Sequence, residues 1–190
     1  VTGLQAAFAI FLAICQVPTG YFADKYGRKR AMQIGAAITF VAEIIYAFGN
    51  SFNSFLLGEL LIALGLSFIG GADVALLSDT LKSINAQEAF SRIRGRAIAR
   101  LQIVSALCAA ASGYLTVAIG FKGVFLLAAL GPFIMFCYAS KLVEVRIPKT
   151  ETDAKRKTGF WRLVMQELWT NRYVRWLILL GACIQAFNQP

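Results

Sequence analysis

Eighteen of the nineteen Lys and Arg residues stand in alternate gaps between long apolar runs. Lys25, Arg28, Lys29 and Arg30 occupy the gap at 20–30, and Lys82, Arg92, Arg94, Arg96 and Arg100 the gap at 82–100. The stretch at 141–175 carries Lys141, Arg146, Lys149, Lys155, Arg156, Lys157, Arg162, Arg172 and Arg175. The gap at 50–54 has no cation, and the one at 119–123 has only Lys122. Loops rich in Lys and Arg stay on the cytoplasmic side of a membrane. A chain patterned this way is therefore constrained to cross a bilayer repeatedly, with three basic segments inside and the other two gaps outside.

Composition agrees with that constraint. The chain is 58% hydrophobic with mean hydropathy +0.63, above the usual range for a soluble domain. Runs such as 31–49 and 124–140 match the roughly 20 apolar residues that a spanning helix needs. The net charge of +9 lies beside apolar spans, where anionic cytoplasmic lipid attracts it. Membrane lipid is thus the expected partner of the cations, and nucleic acid is not. The chain has no histidine, which removes His-based relays, His metal sites and Ser-His triads. Cys15, Cys108, Cys137 and Cys183 all fall within apolar spans. Their spacing matches neither a metal site nor a disulfide framework, so they read as small buried side chains. No cofactor is expected.

Six apolar segments emerge, at roughly 3–19, 31–49, 54–79, 97–118, 122–142 and 174–190. Backbone polar groups in lipid must be satisfied within the segment, so all six are expected to be helices. The predicted fold class is all-α, a polytopic transmembrane bundle. Residues 1–142 would hold the helices of one half, 143–173 a cytoplasmic linker, and 174–190 the truncated first helix of a second half. Within the linker, Phe160, Leu163, Val164, Leu168 and Trp169 follow helical spacing, which predicts an amphipathic helix at the inner membrane face. No signal peptide is visible, and the chain is expected to be an internal piece of a longer protein.

Between the first two spans stands Gly20-Tyr21-Phe22-Ala23-Asp24-Lys25-Tyr26-Gly27-Arg28-Lys29-Arg30. It closely resembles the signature loop of the major facilitator superfamily, Gly-x-Leu-Ala-Asp-Arg-x-Gly-Arg-Arg/Lys, with Phe22 where Leu is commoner. Gly20 removes a side chain where another helix could approach. Gly27 supplies a backbone turn that a larger residue would resist. Asp24 and Arg28 can form a charge-assisted hydrogen bond at the helix ends. The resemblance implies that Asp24 and Arg28 stabilise one conformation of a cytoplasmic gate. It also implies a partner carboxylate at the cytoplasmic end of the family's helix four, and Asp79 is placed to be that group. On this reading the chain covers helices two to seven of twelve. Helix five lacks the Gly-Pro-x-x-Gly-Gly pattern of many drug/proton antiporters and offers Ala109-Ala110-Ala111-Ser112-Gly113 instead.

Glu43, Glu59 and Asp73 lie within spans, where an ionised carboxylate is costly unless it faces a cavity, finds a partner or is protonated. Glu43 and Glu59 fall at similar depth in the outer halves of antiparallel helices. Glu59 and Asp73 share roughly one face of their helix, about 21 Å apart along it. Each is a candidate proton or substrate group, and each is equally a candidate structural group bonded to a neighbouring helix. Ser105, Ala109 and Gly113 recur every four positions and predict a close-packing stripe. Gln185, Asn188 and Gln189 gather near the chain end and are candidates for a water-lined or ligand-lined face.

The resemblance implies a secondary transporter of a small solute, working by alternating access and coupled to protons, in the cell (inner) membrane. A transport-inactive sensor or partner protein of the same fold is the alternative. An intramembrane aspartyl protease fits poorly. Asp73 and Asp79 lie on one helix with directions about 120° apart, and the local run is Gly70-Gly71-Ala72-Asp73. The chain is not expected to be an enzyme.

Overall fold

A computed structural model describes residues 2–142, and every regular element within them is helical. In order these are α1 (Thr2–Tyr26), α2 (Arg28–Phe48), α3 (Phe52–Ser83), a 3-10 turn (Gln87–Ala89), α4 (Phe90–Ala128) and α5 (Leu130–Lys141). Four continuous helical stretches, the last of them Gln87–Lys141 with a break inside it, are long and apolar enough to cross a membrane. The expected linker helix, the segment 174–190 and Cys183 lie outside the described residues.

The connections from α1 to α2 and from α2 to α3 are very short, so each chain reversal is made within a few residues. A single residue, Gly27, separates α1 from α2, at φ 109° and ψ 143°. That positive φ is costly for any residue with a Cβ, so the elbow foreseen at Gly27 has its physical cause in the backbone. Ser51 caps α3, its hydroxyl accepting the Ser54 N–H at 3.3 Å. This satisfies one of the donors that a helix start leaves unpaired. Gly120, at φ 69° and ψ 169°, breaks α4 into an outgoing arm at 90–119 and a returning arm. The returning arm continues through Ala129, itself in helical conformation, into α5, and Pro132 in the first turn of α5 has no N–H to donate. The segments expected at 97–118 and 122–142 are therefore both present.

Two helix boundaries differ from expectation. α1 does not end near residue 19 but runs to Tyr26, because Phe22 and Ala23 pack against Phe68 and Ala72 of α3. The Phe22 and Phe68 rings meet edge to face at 5.4 Å. α4 begins at Phe90, so Arg92, Arg94, Arg96 and Arg100 lie on helical turns and not in a loop.

α2 is the central helix, packed most extensively on α3 and also against α5 and α4, while α1 lies on the other flank of α3. The α2–α3 contact is a backbone-to-backbone approach. A Cβ placed on Gly35 would stand 2.7 Å from the Gly65 carbonyl oxygen. A Cβ on Gly65 would collide with Thr39 and stand 2.8 Å from the Gly35 carbonyl. Buried core positions are almost all small: Ala23, Ala31, Ala36, Ala42, Ala47, Ala63 and Ala72. Small residues are what let apolar helices associate in lipid, where burial of large side chains gives no drive.

The outgoing arm of α4 is the exception. Ser105, Ala109 and Gly113 are all exposed, and nothing lies within 4 Å of a Cβ built on Gly113. The close-packing stripe expected there has no partner among the described residues. Nor does Gly20, where again nothing lies within 4 Å.

Candidate functional site

The end of the bundle that carries Lys25, Lys29, Arg30, Lys82 and Lys141 is organised around Arg28. Its position at the first turn of α2 is electrostatically poor, since a helix start repels cations. Neighbouring oxygens compensate. The Arg28 guanidinium is ion-paired and hydrogen-bonded to Asp79 near the end of α3. It also donates to the Ala75 carbonyl one turn earlier on α3. Asp24, in the last turn of α1, stands 4.0 Å from its other terminal nitrogen. Arg28 thus joins three helices, and the Gly27 elbow aims it. The pairing of Arg28 with Asp79 connects residues 51 positions apart, and the structure brings together the Asp24, Arg28 and Asp79 set expected from the sequence.

Asp73 lies 6 residues before Asp79 on the same helix and meets a different arginine. Its carboxylate accepts from Arg94 Nη1 at 2.8 Å. The other carboxylate oxygen accepts the Val74 N–H at 2.6 Å. Sequence reasoning missed Arg94, counting it as one more cation of a basic loop. The available signal was that an aspartate inside a span requires a counter-charge, and the start of α4 is the nearest source. Because Asp73 and Asp79 engage separate arginines, they do not form an aspartyl dyad.

Glu43 and Glu59 form a second locus toward the opposite end. Both are half-buried. Tyr46, one turn after Glu43 on α2, faces Glu59 of α3, and its hydroxyl interacts electrostatically with both carboxylates. Gly58 makes this possible, because a Cβ there would lie 2.7 Å from the Tyr46 ring. The ring stacks on Phe125 at 5.0 Å and packs on Phe55 at 5.7 Å. Similar depth for the two glutamates was legible in the sequence, but Tyr46 was not singled out. The shared face expected for Glu59 and Asp73 is divided between neighbours: Glu59 serves the interface with α2, and Asp73 the start of α4.

Between these two loci, α1 is pinned to α3 by a buried hydroxyl. The single hydroxyl proton of Thr19 is shared between the Cys15 carbonyl of its own helix, 2.7 Å from the oxygen, and the Ser67 carbonyl of α3, 3.0 Å. Among the described residues no group of three or more His, Cys, Asp or Glu is placed to hold a metal ion. Cys15, Cys108 and Cys137 are free thiols, and only Cys15 is buried as the sequence led us to expect. Gln185, Asn188 and Gln189 lie outside the described residues.

Long apolar helices with small-residue interfaces and one strongly basic end define a multi-pass integral membrane protein. The chain matches the family profile of the Major Facilitator Superfamily over residues 2–189, and it belongs to that superfamily. NiaP of Bacillus subtilis (strain 168), provisionally named as a niacin/nicotinamide transporter, is 28% identical over 166 residues, which is 85% of this chain and 39% of the relative. A protein of Buchnera aphidicola subsp. Schizaphis graminum (strain Sg), named as an uncharacterized transporter, is 31% identical over 80 residues, covering 42% of this chain and 20% of the relative. The chain therefore spans less than half the length of either relative. No solved structure matches it significantly.

Proposed function

We propose that this chain is the larger part of one half of a secondary transporter. It would move a small solute across the cell (inner) membrane by alternating access, coupled to protons. The observation that carries the reading is the Arg28 cluster, in which one guanidinium ties the elbow between α1 and α2 to the end of α3. Such a knot is stable in one arrangement of the helices and has to loosen in another. It therefore gives the bundle the discrete alternatives that a gate requires. In this account residues 1–142 form helices of the first half, 143–173 the linker and 174–190 the start of the second half. The basic end faces the cytoplasm, following the charge asymmetry between the gaps.

Glu43 and Glu59, with Tyr46 beside them, are the proposed proton-carrying groups, and Asp73 is the third candidate. Gln185, Asn188 and Gln189 are proposed to line the solute path. The names of the two relatives support a solute transporter and supply a first panel of test solutes, niacin and nicotinamide among them.

The test is solute-driven proton movement in liposomes holding the full-length protein, with Glu59→Gln and Asp73→Asn beside it. A substrate-dependent pH change lost in one variant supports the reading and locates its carrier. Solute binding without any flux, across a broad panel, supports a sensor of the same fold and overturns transport.

A further inference from the structure

The start of α4 has two faces, and a hydrogen bond fixes which way each one looks. Arg94 Nη1 donates to Asp73 of α3 at 2.8 Å, so the side of α4 that carries Arg94 faces α3. Arg92, Arg96 and Arg100 follow one another at four-residue spacing. At about 100° per residue they fall within about 80° of one another, and the middle of that arc is about 160° from Arg94. The three therefore look away from the helix that holds Arg94. All three are exposed, and none forms an ion pair among the described residues. Glu88 precedes the arginines by one turn, and no further acid follows it until Glu144.

The same face changes character abruptly beyond Arg100. Ile103, Leu107 and Tyr114 continue it, within about 20° of the line through the arginines, and all three are largely exposed. The switch falls where a bilayer would place it. The outgoing arm, 90–119, is about 45 Å long at 1.5 Å per residue, while a hydrocarbon core is about 30 Å thick. Counted from the break at Gly120, the core takes up about 20 residues and ends near Arg100. The arginines then rise through the headgroup layer of the basic side, and the apolar part of the face runs down into the core.

We propose that this face of α4 is a binding site for an anionic phospholipid of the leaflet on the basic side. The guanidinium forks of Arg96 and Arg100 suit the lipid phosphate, which accepts two parallel N–H donors from each. Arg92 meets the outer part of the headgroup. The acyl chains follow Ile103 and Leu107 toward Tyr114. General attraction of basic loops to an anionic leaflet needs no particular face. A site does, since headgroup and chains have to be met along one line of the helix. A soluble anion would find the same guanidiniums but would leave the apolar track unused. With the lipid in place, the start of α4 is held from two sides, by Asp73 on one and by the headgroup on the other. The inference rests on the membrane-spanning reading and not on transport.

The experiment places a bimane label at Ile103→Cys in the full-length protein, with the native cysteines replaced, in vesicles of phosphatidylcholine and phosphatidylglycerol. Each lipid in turn carries brominated chains, and quenching reads which one touches the label. Phosphatidylglycerol is expected at the label at about fivefold or more over its share of the bilayer. Arg96→Gln and Arg100→Gln should each lower that enrichment about two- to fivefold, as the attraction of one cation near an anionic surface implies. Arg92→Gln, Arg96→Gln and Arg100→Gln together should abolish it. The three corresponding Lys substitutions together keep the charge and should retain most of it, with the same elution profile. Lys82→Gln, which removes a nearby cation of α3 off this face, should leave the enrichment unchanged. Equal quenching by the two lipids, or enrichment indifferent to the three arginines, would overturn the proposal. So would an equal loss in Lys82→Gln, which would reduce the effect to general surface charge. Quenching by neither lipid would show that protein covers the face and would overturn it as well. None of these readouts uses flux, so their failure leaves the transporter proposal standing.

Discussion

Replacing Asp79 by Asn removes the principal counter-charge of Arg28 while keeping the side chain's size and an oxygen that accepts a hydrogen bond. The side chains of Arg28 and Asp79 are 18% and 24% exposed, so the pair lies between two limits. Breaking a fully buried pair costs about 3–5 kcal/mol, and an exposed pair contributes about 0–1 kcal/mol. In the variant Arg28 keeps the Ala75 carbonyl and Asp24 at 4.0 Å. The loss is therefore expected at about 1–2 kcal/mol, a factor of roughly 5–30 in a two-state equilibrium. If the cluster holds the basic end closed, that factor appears as increased opening there. The assay is thiol labelling of Ser83→Cys in the full-length protein, with the native cysteines replaced, since Ser83 ends α3 beside the cluster. Labelling should accelerate about 5–30-fold in Asp79→Asn, with an unchanged elution profile. An unchanged labelling rate would refute the gating role. Loss of the folded protein would show that the cluster is a structural tie instead.

The remaining predictions concern backbone and packing. Gly27→Ala should lower the thermal midpoint in detergent, because a positive φ of 109° costs a residue with a Cβ about 1–3 kcal/mol. An unchanged midpoint would remove the elbow argument. Gly65→Ala should be clearly destabilising, since its Cβ meets Thr39 and the Gly35 carbonyl. Gly70→Ala, with nothing near it, should be neutral or stabilising by about 0.5–1 kcal/mol; melting curves of the two variants side by side decide this. Tyr46→Phe keeps the contacts with Phe125 and Phe55 but loses the hydroxyl near Glu59. It should cost about 1 kcal/mol in stability and reduce proton movement per solute; full retention of that ratio would exclude Tyr46 from the proton path.

The parts of this fold legible in the sequence are those set by a periodic or local signal. Segregated cations and apolar run length placed all five described spans. The Gly27 elbow followed from a local glycine motif, and Asp79 from a family resemblance, because both sit at fixed positions relative to a loop. The parts not legible depend on rotation and register between helices, which no local pattern encodes. Gly35 and Gly65 are unremarkable in their own helices and become a contact only when two antiparallel helices are aligned. Arg94 looks like any basic-loop cation until α4 is known to begin at Phe90. Conversely, Ser105, Ala109 and Gly113 carry a packing signature with no described partner, which shows that a small-residue repeat marks a capacity to pack and not a neighbour.

Alternating access requires the two ends of the bundle to open reciprocally. The most direct test labels Ser51→Cys, at the end of the bundle away from the Arg28 cluster, and Ser83→Cys, at the basic end, in the full-length protein with and without a saturating solute. The account predicts that solute shifts the two rates in opposite directions, and that Asp79→Asn displaces the same equilibrium toward opening at Ser83. Rates that change together, or that do not respond to any solute that binds, would contradict it.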